Sequence, residues 1–192
     1  MDKDTPFEAI AIQCTSIYTN ILEPEEDRIP RQAKEEQIKD GIPCASFDEA
    51  SQNNRIGERL VIHINKNQNL KAFVGLGTGT NNFAELSALK LLLCWLIHKN
   101  IFTVQIFGDS MNVIKWFNGQ SRCQNYILLP LLEEIQQLKI SFNVFSLCHI
   151  YRECNDTTDR LSKEGLQQDM GCWRIVEEDQ GEIRVSDQPP YS

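Results

Sequence analysis

The chain has 192 residues, 41% hydrophobic and 24% charged, which is an ordinary balance for one globular domain and excludes collagen-like, coiled-coil and wholly disordered chains. Net charge is −8, yet residues 1–43 carry ten acids against five bases and residues 167–192 six against two, so residues 44–166 hold eleven acids and twelve bases. The acidity lies at the ends, and a nucleic-acid partner for the middle is not excluded by charge.

In chain order, residues 1–43 read as an acidic extension with a charged, proline-punctuated linker at Glu23-Pro24-Glu25-Glu26-Asp27-Arg28-Ile29-Pro30. Residues 44–50 predict a short strand, followed by a polar turn at Gln52-Asn53-Asn54. Residues 59–65, Arg-Leu-Val-Ile-His-Ile-Asn, predict a second strand, 65–69 a turn, and 70–76 a third strand. Residues 81–98 carry the strongest helical pattern, with Phe83, Leu86, Leu89, Leu93, Leu96 and Ile97 at helical spacing. Thr80 or Asn81 can cap its start, and Glu85 sits one turn in.

Residues 102–107 predict a buried strand that stops at Gly108-Asp109-Ser110. A helix over 110–117 ends at Asn118-Gly119; a further helix follows over 130–138, then a strand over 142–150 and a last helix over 155–168. Residues 169–192, with Glu177-Glu178-Asp179 and Pro189-Pro190, predict an acidic tail. The order β-β-β-α-β-α-α-β-α implies an α/β domain over 44–168, one mixed sheet covered by helices.

Other features narrow the class. The longest apolar stretch, 86–97, is interrupted by Ser87 and Lys90 and is too short to span a bilayer, so no membrane partner is expected. The start, Met1-Asp2-Lys3-Asp4, lacks the basic-then-apolar order of a secretory signal. The seven cysteines include no Cys-x-x-Cys pair, which argues against a zinc knuckle or disulfide framework and for reduced thiols in an intracellular protein. No protein partner is indicated, and a monomer is expected.

Four acids occupy special places. Asp48 lies inside the first strand among apolar neighbours, where a charge is expensive unless it is paired or metal-bound. Glu85 lies in the first turn of the long helix, towards its Leu86/Leu89 side, though a carboxylate near a helix N-terminus also suits the macrodipole. Asp109 ends a strand, where α/β sheets place ligands, and can equally cap the next helix. Asp159 lies near the start of the last helix, where a solvated charge is common.

These pieces together resemble the type-1 ribonuclease H family, especially the ribonuclease H-like domains of plant retroelement-derived genes. The resemblance rests on Phe47-Asp48-Glu49-Ala50-Ser51, on Gly77 to Leu86 with Thr80-Asn81-Asn82-Phe83-Ala84-Glu85, on Phe107-Gly108-Asp109-Ser110, and on His149 with Asn155, Asp159 and Leu161. It implies a ribonuclease H-like mixed five-stranded sheet flanked by helices, with the third strand antiparallel to its neighbours. It implies a catalytic set of Asp48, Glu85, Asp109 and Asp159 holding two Mg²⁺ or Mn²⁺ ions, with Asp48 as the bridging ligand. Four converging carboxylates would repel without metal, and hard divalent cations prefer oxygen ligands. His149 matches the family's flexible histidine, and Thr80 and Asn81 match positions that touch the nucleic acid.

The activity so implied is hydrolysis of the RNA strand of RNA–DNA hybrids by two-metal-ion chemistry. The chain departs from the family where Glu49 replaces a glycine and 52–58 replaces a glycine-rich turn; by strand alternation Glu49 points away from Asp48. Only Arg122 supplies positive charge in residues 118–126, so binding should be modest and salt-sensitive. These departures leave an alternative, a retroelement-derived nucleic-acid-binding remnant with little or no catalysis.

Overall fold

The computed structural model describes residues 41–52, 55–150 and 169–187. Three strands form a meander: β1 (Cys44–Gln52), β2 (Arg55–Asn65) and β3 (Gln68–Gly77). Helix α1 (Asn81–His98) follows, then β4 (Thr103–Gly108), α2 (Met111–Phe117), α3 (Leu129–Lys139) and β5 (Val144–His149). The chain then adds β6 (Trp173–Asp179) and β7 (Glu182–Ser186). The sheet order is β5-β4-β1-β2-β3-β6-β7. The predicted last helix, 155–168, lies outside the described residues.

The mixed sheet with flanking helices follows the sequence reading, but it is seven strands wide rather than five. Among the first five, β2 is the strand that runs against the rest: β1 pairs parallel with β4, β4 parallel with β5, and β2 is antiparallel to both β1 and β3. β3 is in turn antiparallel to β6.

Helix α1 presents Leu86, Leu89, Leu92, Leu93 and Leu96 to Ala45, Phe47, Leu60 and Ile62 of β1 and β2 in one buried core. That burial, not local propensity alone, holds so long a helix against the sheet. The Thr80 hydroxyl accepts a hydrogen bond from the Phe83 N–H at 3.3 Å, capping the helix start as expected. At the other end Asn100 turns the chain with φ 57, a left-handed conformation that asparagine tolerates.

The segment expected to be a tail completes the sheet. Strand β6 runs beside β3 from Gln68↔Asp179 to Val74↔Trp173, and its Ile175 is buried in the core shared with α1. Asn69 Nδ2 donates to Glu178 at 2.9 Å and Gln68 Nε2 to Asp179 at 2.9 Å. Lys99 Nζ, just past α1, donates to both Glu177 oxygens at 2.8 Å. The acids that suggested a solvated tail are therefore partners of β3 and of the α1 terminus. The signal available was the two-residue Gln180-Gly181 turn, both residues with positive φ (52 and 86), between alternating runs Trp173/Ile175 and Ile183/Val185.

This makes a direct comparison possible. Ile175→Ala should lower unfolding stability by about 2–5 kcal/mol, as for a core truncation. Val185→Ala, on a side chain that is mostly exposed, should change it by less than about 0.5 kcal/mol. Equilibrium denaturation of the two variants checks the difference, and equal small effects would return residues 173–186 to the status of a tail.

Candidate active site

The parallel pairing of β1 with β4 covers only Cys44↔Gln105, Ala45↔Ile106 and Ser46↔Phe107. Past that point β1 continues against β2 alone, and β4 ends at Gly108. Asp48 and Asp109 each stand two residues beyond the last pair, in step across the gap between the strands. The chain leaves β1 towards β2 on one side and leaves β4 towards β5 on the other, so the gap lies at a topological switch point, at the carboxyl ends of parallel strands. Strand β3 runs parallel to β1, and the crossover from it brings the start of α1 to the same edge of the sheet. Glu85 thereby meets the two aspartates.

Ligand oxygens of Asp48, Glu85 and Asp109 all lie within 4.8 Å of one another. Asp48 is 1% exposed and Glu85 6%, with Asp109 half-buried. Burial pushes the Glu85 carboxyl well above the usual carboxylate range; the charges of Asp109, Asp48 and Glu49, and a side-chain hydrogen bond with Asp109, push it the same way. Two alternative roles fall away. Helix α1 begins at Asn81 and has no acid in its first turn, so Glu85 sits beyond the part of the helix where the macrodipole acts strongly. Ser110, not Asp109, is the N-cap of α2.

A glycine lets the strands come this close. A Cβ on Gly108 would lie 2.6 Å from Phe47 Cζ and 2.8 Å from Cε1. Phe47 precedes Asp48 and Gly108 precedes Asp109, so this contact sets the distance between the two aspartate-bearing segments. His149, at the end of β5 opposite Gly108, donates from Nε2 to the Asp109 carbonyl oxygen at 3.1 Å. It is thus attached to the backbone of the site. Thr80 and Asn81 are exposed at the start of α1, on the same edge as Glu85. Asp159 lies outside the described residues.

Glu49 departs from the sequence reading. It does alternate away from Asp48, but it is buried, its cross-strand partner is the buried Glu58, and its charge acts on Glu85. Glu58 is 0% exposed, neither of its oxygens has a hydrogen-bond partner among the described residues, and burial holds its pKa well above the usual range. Residues 55–58, expected in a loop, belong to β2, because β1 and β2 remain paired out to Gln52↔Arg55. Burial raises the Cys44 thiol to about 12 and also raises that of Cys148.

The donor set suits a hard divalent cation. Three carboxylates supply only oxygen, as Mg²⁺ and Mn²⁺ prefer. Glu85 Oε2 is buried with no hydrogen-bond partner among the described residues, and the mutual repulsion that helps raise Glu85 is what a cation would relieve.

Comparison with known proteins agrees with this geometry. A model of the reverse transcriptase-like family matches residues 47–165. The chain belongs to this family of ribonuclease H domains and is a ribonuclease H-type enzyme. It resembles the ribonuclease H1 of the halophilic archaeon Halobacterium salinarum, with 26% identity and a TM-score of 0.59 over 66% of this chain and 98% of that one. The N-terminal ribonuclease H domain of a Mycobacterium tuberculosis protein shares the fold at 22% identity and TM-score 0.61, over 65% of this chain and 93% of that one. So does LC11-RNase H1, solved in complex with an RNA/DNA hybrid, at 23% identity and TM-score 0.60, over 65% and 96%.

Two outcomes follow from the packing and the charges. Gly108→Ala must displace Phe47 or Asp109; it should cost about 1–3 kcal/mol and weaken Mn²⁺ binding measured by calorimetry. Glu58 and Glu85 both bind protons more tightly folded than unfolded. Their contribution to metal-free stability is therefore fully present below the ordinary carboxylate range and is lost as pH rises through their raised pKa values. Glu58→Met removes one such group together with its unmet hydrogen bonds. It should raise stability at neutral pH by about 1–3 kcal/mol and flatten that pH dependence, read by denaturation in EDTA at several pH values.

Proposed function

We propose that the protein is a divalent-metal-dependent endonuclease that hydrolyses the RNA strand of RNA–DNA hybrids, leaving 5′-phosphate and 3′-hydroxyl ends. The observation that carries this reading is the convergence of Asp48, Glu85 and Asp109 within 4.8 Å at the open end of β1 and β4. Family membership supports it, as does the hybrid bound by the structural relative LC11-RNase H1.

Asp48, Glu85 and Asp109 would hold the cations, Mg²⁺ or Mn²⁺, and Asp159 would complete a set of four able to hold two ions. Divalent cations in such a site supply Lewis acidity, acidifying water and neutralising charge on a phosphodiester. The protein's own groups then have distinct tasks. Asp48, the most deeply buried of the three, fixes the centre of the site. Glu85 must give up its proton before it serves as a ligand, so cation binding releases protons and strengthens with pH. His149 steadies the Asp109 segment through its carbonyl and stands beside the site as a group for proton transfer. Asn81, exposed one turn before Glu85, would meet a ribose 2′-hydroxyl, the feature that separates RNA from DNA. Thr80 keeps that turn in place as the cap.

The test is cleavage of an end-labelled RNA–DNA hybrid in Mg²⁺ and in Mn²⁺, beside an all-DNA duplex. Metal-dependent cutting of the RNA strand is expected, falling about a hundredfold or more in Asp109→Asn, because several kcal/mol of charge stabilisation depend on the ligand set. A folded protein that binds hybrid and metal without turnover would instead be a nucleic-acid-binding remnant. Cutting of the all-DNA duplex at an equal rate would remove the specificity part of the reading.

A further inference from the structure

The dipeptide Asp48-Glu49 on β1 is met residue for residue by Arg59-Glu58 on β2. Cross-strand partners share a face of the sheet, so Arg59 stands on the side of Asp48, and Glu58 on the side of Glu49. Arg59 is 0% exposed, and its guanidinium carbon lies 5.9 Å from the ring centroid of Phe73, its partner on β3. Among the described residues it is the one buried Lys or Arg, against four buried carboxylates, Asp48, Glu49, Glu58 and Glu85. Its charge is felt along the strand: with burial and Lys71 it helps push the buried His63 down to about 4, so His63 adds no cation at neutral pH. A guanidinium cannot be titrated away at any working pH, and a buried charge needs a partner to persist.

We propose that Arg59 is a positioning residue for Asp48: a built-in countercharge that holds the carboxylate in place before a divalent cation arrives and weakens the cation's hold once it has. The inference rests on the reading of Asp48, Glu85 and Asp109 as a cation site. A guanidinium and a divalent ion drawn to one carboxylate repel each other, and a desolvated site strengthens that repulsion. Arg59 therefore acts in opposite directions on two quantities. It stabilises the metal-free fold and lowers cation affinity, whereas a residue that merely filled space would support both.

The test combines calorimetric titration of the full chain with MgCl₂ and MnCl₂ and thermal melting in EDTA. Arg59→Gln should bind Mg²⁺ roughly fivefold or more tightly than the unaltered protein, the sign expected when a nearby positive charge is removed, and should melt lower in EDTA. Arg59→Lys, which keeps the charge, should stay within about twofold in affinity. Affinity in Arg59→Gln that is unchanged or weaker, with the unaltered protein binding normally, overturns the proposal. No binding of either cation by the unaltered protein overturns the metal reading itself.

A second set of variants decides the matter even if Arg59→Gln does not fold. In EDTA, Asp109→Asn and Glu85→Gln should leave the melting temperature unchanged or raise it, since the first removes a repelling charge and the second replaces a buried carboxyl whose pKa is already raised. Asp48→Asn alone should lower it, because it leaves Arg59 buried against a neutral amide. A rise in Asp48→Asn matching the other two would rule out the countercharge.

Discussion

Beyond Ser46 and Phe107 the parallel strands β1 and β4 cease to pair, and the sheet opens at the point where the chain has just folded back on itself. Asp48, Glu85 and Asp109 gather at that opening. A paired sheet would spend its polar groups on ladder hydrogen bonds; an opened one leaves room for side chains to converge. Three carboxylates gather there against their mutual repulsion, and a rigid leucine-rich helix behind the sheet makes that possible. The core under α1 holds the strand ends in place, so the acids cannot relax apart as they would on a loop. Close packing is felt down to a single atom, since Gly108 and Phe47 leave no space for even one more carbon.

The electrical layout is finer than a cluster of acids. Strand alternation separates two neighbouring carboxylates, Asp48 and Glu49, onto opposite faces, and β2 answers each with a different group. Arg59 stands on the face of Asp48, and Glu58 on that of Glu49. Asp48 faces an opposite charge, whereas Glu49 faces Glu58, whose carboxyl burial holds well above the usual range. Charge and proton are thus two separate means of keeping acidic side chains buried within a few residues of one another.

Much of the fold was legible in the sequence, and the reasons are physical. Helix α1 was clear because its leucines recur at helical spacing, and its boundaries 81–98 were fixed by a capping threonine and a terminal turn. Asp48 stood out because a mid-strand charge needs a reason, and the structure supplies one. Residues 52–58 read as a loop because they are polar and stand where the resembled family has a glycine-rich turn; that the β1–β2 ladder runs on to Gln52↔Arg55 and buries Glu58 cannot be foreseen from alternation alone. The same bias hid β6, whose Glu177, Glu178 and Asp179 suggested solvent. Their partners, Lys99, Asn69 and Gln68, lie far away in sequence, and only tertiary pairing reveals them.

The added hairpin also sets an order of events at birth. Strand β3 spans residues 68–77, and the strand that covers its free edge spans 173–179. A ribosome that makes the chain from its N-terminus must therefore produce about a hundred further residues, each taking a fraction of a second, before that edge finds its neighbour. During that interval β3 presents unpaired N–H and C=O groups, the feature that invites pairing with another chain. Once Ile175 enters the core, the exposed edge passes to β7, five residues long, with Glu182 and Arg184 bonded to each other at 2.9 Å. The nascent domain is thus open to misassociation along β3, and the finished one presents a short, charged margin in its place.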